Sequence, residues 1–219
     1  MDCLSSTLTP LQQEILDALR DVPGFYLTGG AALAAKYLGH RQSYDLDLFV
    51  VQAEDVEVLG ARLRATAAER GWAVEEVQRY PGFVRCIIRN QDAATLVDVV
   101  HETAPQVVEL DAKPIHGGVR FDAIEDLVAN KLCAILGREE VKDLVDLFFL
   151  TEAGVDVIGH LDHARQKDAG LDAATLAYVL RGMAVNTEGL LLVRPVPEED
   201  LKGFRDRLVD RLVHLAWPG

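Results

Sequence analysis

Between Ser43 and Val51 acidic and apolar residues alternate, with Asp45 and Asp47 flanking Leu46 and Leu48 following. Side chains of an extended strand alternate faces with period two, so both aspartates project from one face and the leucines from the other. Carboxylates this close repel and raise each other's proton affinity unless a cation lies between them. Clustered carboxylate oxygens suit a hard ion such as magnesium. Upstream, Phe25 to Leu27 reads as a short buried strand, Gly29-Gly30 as a turn, and Ala31 to Leu38 as a helix ended by Gly39. Without side chains at Gly29 and Gly30, backbone N–H groups can approach phosphate oxygens at a helix N-terminus, a candidate triphosphate cradle. The plainer reading is a tight strand-to-helix connection.

The flanking segments fill in an α/β half. Thr9-Pro10 ahead of Leu11, Ile15 and Leu19 predicts a capped first helix. Ala53 to Arg70 predicts a helix closed by Gly71, and Trp72 to Val77, Phe83 to Arg89 and Thr95 to Val100 predict three strands. From Asp122 onward the periodicity is helical, with helices expected at 122–136, 139–150, 155–166, 173–181 and 197–217. The expected division is a first domain over 1–121 and a helical domain over 122–219 that closes the active-site cleft, the two meeting around Lys113 to Phe121.

Composition limits the function. No 18-residue apolar run could span a bilayer, and Met1 to Glu14 do not read as a secretory signal, so a cytoplasmic location is expected. Cys3, Cys86 and Cys133 are far apart, without a metal or redox spacing, and read as buried or incidental thiols. With 22 Lys+Arg against 35 Asp+Glu, a net charge of −13 opposes broad adhesion to nucleic acid. Arg62, Arg64, Arg70, Arg79, Arg85 and Arg89 form the densest basic group, read as a solvated helix face plus strand ends. His160 and His163 share a helix face without an evident third ligand and are expected to be exposed. The chain has no Walker A, Gly-x-Gly-x-x-Gly or Gly-x-Ser-x-Gly sequence.

The run Gly29-Gly30, Ala32-Leu33, Gly39-His40-Arg41, Ser43 and Asp45-Leu46-Asp47-Leu48 resembles the AbiEii/AbiGii-type nucleotidyltransferase toxins of the polymerase-beta-like nucleotidyltransferase superfamily. The resemblance extends more loosely through Glu125 to Lys131 and Lys142 to Leu147. It implies an α+β fold: an N-terminal nucleotidyltransferase-fold mixed sheet with flanking helices, followed by a mostly helical C-terminal part. It also implies transfer of NMP from NTP to an acceptor, with two magnesium ions between three carboxylates. Many superfamily members have Gly-Ser where this chain has Gly29-Gly30, which leaves backbone amides and Thr28 to hold the terminal phosphates. Arg41 and Ser43 are expected to fix the start of the metal strand or touch phosphate. For the third carboxylate, Asp98 is the better candidate, because its apolar flanks favour a buried central strand; Asp92 lies in a turn signal.

Lys131 falls within about 20° of Ile124 on a buried helical stripe. Its partner is either a triphosphate or one of Asp143 and Asp146. The resemblance favours Asp143 as the functional partner, positioning Lys131 or the acceptor. Three functions follow: a toxin with an antitoxin partner that adds nucleotides to tRNA, a small-molecule or protein nucleotidyltransferase, and a non-catalytic interaction module on this fold.

Overall fold

The computed structural model describes residues 7–218 and divides into two units, Met1–Thr103 with Val108–Ala123, and Ala104–Val107 with Ile124–Gly219.

The first unit begins with α1 (Pro10–Leu19), whose start is fixed by a reciprocal cap. Thr9 Oγ1 accepts from the Gln12 amide at 3.2 Å, and the Thr9 amide donates to Gln12 Oε1 at 2.9 Å, which satisfies two orphan donors of the first turn. Leu11, Ile15 and Leu19 form its buried stripe. Gln12 is also buried, and its amide nitrogen donates to Ser43 O and Thr95 Oγ1 at 3.0 and 3.1 Å. The residue that caps the helix therefore also ties it to the sheet.

β1 (Phe25–Thr28) runs into α2 (Gly29–Ala32), which continues as a π-helical turn over Leu33–Leu38 instead of the expected α-helix. Gly39, at φ 60°, closes it by donating to Ala34 O, an i to i−5 bond. Tyr37 on this turn donates its hydroxyl to Asp122 O at 2.9 Å. Then follow β2 (Asp45–Val50), α3 (Asp55–Arg70), β3 (Ala73–Tyr80), β4 (Phe83–Arg89) and β5 (Ala94–His101). The sheet order is β1-β2-β5-β4-β3. Only the β2/β5 pair is parallel, so the sheet is mixed. Leu46, Leu48, Val50, Val84, Cys86, Ile88, Val97 and Val99 alternate onto the buried face. There α1 and α3 pack, α3 burying Val56, Leu59 and Leu63.

β3 extends three residues beyond the expected Val77, with a register shift between Glu76 and Gln78. It is an edge strand, mostly exposed and rich in charge, which blunts pairing with other chains. The joining segment folds into a small hairpin, β6 (Ile115–His116) and β7 (Val119–Arg120). Gly117 and Gly118 form its turn at φ 58° and 82°, a backbone that side chains disfavour.

The second unit holds α4 (Ile124–Arg138), α5 (Val141–Glu152), α6 (Leu161–Lys167), α7 (Ala173–Gly182) and α8 (Glu198–Ala216). α4 starts two residues later than expected, because Asp122 is turned inward to accept the Ala123 amide and two side-chain donors. The single helix expected over 155–166 divides into a 3-10 turn, Val157–His160, and α6. Leu127, Leu132, Leu144, Leu147, Leu180 and Leu212 are fully buried. Phe148 meets Phe149 and Phe204 edge-on at 5.2 and 5.6 Å, a favoured aromatic geometry. No helix among the described residues is long and apolar enough to cross a membrane.

Candidate active site

Strand register assembles a row of four side chains across the first unit's sheet. Thr28 on β1 stands opposite Asp47 on β2, Asp47 opposite Asp98 on β5, and Asp98 opposite Arg85 on β4. Register partners on neighbouring strands share a face, with strands about 4.8 Å apart. Asp45 lies two residues from Asp47 on that face. β2 alternates strictly: Asp45 and Asp47 keep partial exposure, and Leu46 and Leu48 are fully buried. Asp92, the alternative third acid, is exposed in the turn before β5, its amide bonded to Asn90 Oδ1.

The glycine turn closes against this row. Gly29 has φ +66°, and a Cβ there would lie 2.0 Å from Asp47 Oδ2. A Cβ at Gly30 would lie 2.3 Å from Arg41 Nη2 and 3.1 Å from Ser43 Oγ. At Gly29 the left-handed backbone and the Asp47 carboxylate together exclude a side chain, whereas at Gly30 a Cβ would require the Arg41 guanidinium to move. Ser43 Oγ donates to Asp45 Oδ1 at 2.8 Å, and Arg41 donates to Gln42 O at 3.0 Å. Gly29, Gly30, Arg41, Ser43, Asp45 and Asp47 thus form one cluster.

Thr28 is turned elsewhere. Its hydroxyl donates to Asp122 Oδ2 at 2.5 Å, and the other oxygen of Asp122 accepts from Lys113 Nζ at 2.6 Å. Lys113 and Asp122 are buried, and the ammonium lies 4.6 Å from the Tyr26 ring centroid. Through the Asp122 carboxylate this ion pair holds Thr28, the residue that leads into the glycine turn. Neither member stands in a recognisable sequence pattern; a lysine flanking a two-strand hairpin is ordinarily a surface residue.

Asp98 is 6% exposed, and both its oxygens are held by Arg85, Nε to Oδ1 at 2.8 Å and Nη2 to Oδ2 at 2.6 Å. Those bonds raise the Arg85 pKa above its ordinary value against an opposing desolvation, with the fields of Asp98, Asp47 and Asp45 adding to them. Among the described residues no three His, Cys, Asp or Glu side chains are arranged to hold a metal. Asp45, Asp47 and Asp98 share a face, but an arginine covers the third. Arg85 lies on β4 between half-buried Phe83 and Ile87, on the aspartates' side of the sheet.

The other arginines of the basic group are bonded within the chain. Arg64 approaches Glu76 at 4.0 Å, Arg70 bonds Glu14 at 3.0 Å, Arg89 bonds Glu75 at 3.2 Å, and Arg79 bonds both Glu76 and Glu57. Arg62 donates to Ala18 O. Of the thiols, Cys86 is buried and pushed up to about 11 by that burial, Cys133 donates to Ala164 O, and Cys3 lies outside the described residues.

In the second unit Lys131 Nζ lies 2.8 Å from Asp143 Oδ1 and 2.5 Å from Asp146 Oδ2, with all three buried. Arg138 adds Nε and Nη2 bonds to Asp143, both at 2.9 Å. Burial pushes the Asp143 carboxyl up, but the charges and hydrogen bonds of Lys131 and Arg138 outweigh it and hold the group below the usual carboxylate range. Both carboxylates that the sequence offered as partners, Asp143 and Asp146, are within reach of the ammonium. His160 and His163 lie ring to ring at 5.6 Å, with His160 Nδ1 on Asp156 O.

A family model described as the nucleotidyl transferase AbiEii toxin, type IV toxin–antitoxin system, matches residues 14–218. This chain belongs to the AbiEii nucleotidyl transferase toxin family. The match runs from α1 through α8, so the C-terminal helices, which carry no recognisable motif, are part of the AbiEii chain. Two solved structures from Helicobacter pylori share the fold. JHP933 is 22% identical with a TM-score of 0.62, over 92% of this chain and 88% of that one. A second, assigned as a nucleotidyltransferase, is 21% identical with a TM-score of 0.61, over 94% of both chains. No curated protein matches the sequence. As an AbiEii family member the chain is a nucleotidyltransferase.

Proposed function

We propose that the chain transfers NMP from an NTP to an acceptor hydroxyl in a magnesium-dependent reaction that releases pyrophosphate. The observation that carries this reading is the placement of Asp45, Asp47 and Asp98 on one sheet face, with the Gly29 backbone against Asp47. Partly exposed aspartate oxygens are the hard donors that magnesium prefers, so the chemistry of Asp45 and Asp47 suits the ion. Asp98 fits it on release of Arg85. When bound, two magnesium ions would lower the barrier to deprotonating the acceptor and neutralise the β- and γ-phosphates. Gly29 and Gly30 offer backbone amides to the phosphates; Arg41 and Ser43, packed against Gly30, hold that turn and the start of β2. Thr28 fixes the turn from behind through Asp122 and is placed to assist the terminal phosphates only if its hydroxyl is redirected. Asp143 positions Lys131. The division into a catalytic domain over 1–121 and a helical domain over 122–219 belongs to this proposal.

For the acceptor, membership in a toxin–antitoxin family supports tRNA, with an antitoxin protein as partner. A second reading, a small-molecule or protein acceptor, is favoured by the arginines of the first unit, which are bonded to carboxylates or carbonyls of their own chain. The test is incubation with each α-labelled NTP, magnesium and total tRNA, beside the Asp47→Ala variant, followed by a sizing gel. Label on tRNA only with the intact chain supports the first reading and identifies the base. Nucleotide turnover without labelled tRNA moves the assignment to the second.

A further inference from the structure

We propose that Arg85 is an internal counter-ion that Asp98 must give up when the site takes a divalent cation, so that this arginine sets the affinity of the site for metal. The inference rests on the proposed reading that Asp45, Asp47 and Asp98 hold that cation.

The Arg85 fork engages both oxygens of Asp98, at 2.8 and 2.6 Å, in the bidentate geometry that makes such pairs strong. Asp98 stands in register with Asp47, so a cation shared by those two carboxylates would lie close to the guanidinium. It would meet a repelling charge and a carboxylate whose lone pairs are already shared.

The two partners differ in their freedom to move. Asp98 is held by a central strand whose Val97 and Val99 are fully buried, so its backbone cannot follow a departing partner. The Arg85 side chain is 37% exposed. Phe83, on the same face of β4, has its ring centroid 5.6 Å from the guanidinium carbon, a cation–π contact made alongside the Asp98 fork. That contact, with the attraction of Asp47 and Asp45 as well as Asp98, keeps the arginine near the site when the fork opens. Without a cation, three carboxylates on one face would repel one another, and Arg85 relieves that repulsion in the folded chain at the cost of metal affinity.

The experiment is Mn2+ binding, followed by electron paramagnetic resonance without nucleotide, to the intact chain and to Arg85→Ala, Arg85→Lys and Asp47→Ala. Binding to Arg85→Ala is expected to be on the order of tenfold tighter than to the intact chain. Arg85→Lys, which keeps the charge and loses the fork, is expected between the two; it also serves if Arg85→Ala folds poorly. Asp47→Ala is expected to lose the ion. Equal or weaker binding by both Arg85 variants, with binding lost in Asp47→Ala, overturns the displacement inference and leaves the carboxylate reading in place. Binding by none of the proteins, or binding indifferent to Asp47, overturns both.

Discussion

Asp45 and Asp47 on β2, and Asp143 and Asp146 on α5, are both carboxylate pairs set on one face of their element, but their surroundings differ. The helical pair is fully buried and meets Lys131 and Arg138 inside its own unit. The strand pair keeps part of its surface exposed, faces the backbone of Gly29, and has as its register neighbour an aspartate already matched to Arg85. Buried carboxylates supplied with their own cations hold helices together. The strand carboxylates lie on a partly exposed face against the left-handed Gly29 backbone, the setting in which we propose that a cation and a phosphate bind. Spacing on the element puts two acids side by side; only the neighbours decide what the pair does.

The largest expected effect separates the two pairs by function. Asp47→Ala should reduce nucleotidyl transfer by on the order of a thousandfold or more, because the proposed metal ligand is lost. It should shift Tm by only a few degrees, since Asp47 is partly exposed and its removal opens no cavity in the apolar core. Labelled-NTP incorporation alongside calorimetry reads both. Substantial transfer by a well-folded variant would break the comparison from the strand side.

The second effect comes from the helical side. Lys131→Ala leaves Asp146 without this lysine and Asp143 dependent on Arg138, and breaking a buried pair from one side costs about 3–5 kcal/mol. A lysine on a buried stripe, read as a nucleotide contact, would be expected to lose NTP binding more than folding. With two carboxylates around its ammonium, the loss in folding should dominate. Urea denaturation tests this, and a loss below about 1 kcal/mol would mean that the network contributes little to the fold.

How much of this was legible in the sequence follows from the range of each signal. The alternation at 45–48, the glycine turn and the Thr9 cap are local, and the corresponding strand, turn and helix formed where expected. Asp98 was distinguishable from Asp92 because apolar flanks and a turn signal lie within a few residues of each. Arg85 and the Lys113–Asp122 pair were not legible, because each acquires its role from a partner on another element. The Arg85 role depends on β4 and β5 pairing in one register, and the lysine role depends on a hairpin folding back under β1. The π-helical turn was missed because its i to i−5 bond leaves the apolar pattern of residues 31–38 unchanged.

The third effect is a pH dependence confined to the helical pair. The Asp143 carboxyl is held below its ordinary value, so its contribution to stability is complete above the unfolded value of about 3.9 and lost as pH falls through the folded one. Asp143→Asn cannot titrate there. The stability gap between the intact chain and this variant should therefore narrow as pH falls below about 4, as measured by denaturant midpoints across that range. A gap that stays constant on acidification would mean that the charge on Asp143 does not carry its stabilisation, and would remove the electrostatic half of the contrast with the strand pair.

The smallest effect concerns a third kind of carboxylate, the exposed partners of the surface arginines. Arg89 and Glu75 lie 3.2 Å apart with about half of each side chain in solvent, where screening and side-chain entropy leave such a pair worth about 0–1 kcal/mol. Arg89→Gln should therefore leave Tm nearly unchanged. Its value lies in the acceptor question. If tRNA is the acceptor and its backbone draws arginines away from their carboxylates, this substitution should weaken transfer to tRNA and reduce its dependence on salt, because one phosphate contact disappears. If Arg89 serves only Glu75, transfer and its salt dependence stay as they were. Arg89 is then ordinary surface, and the acceptor is recognised by groups other than this cation.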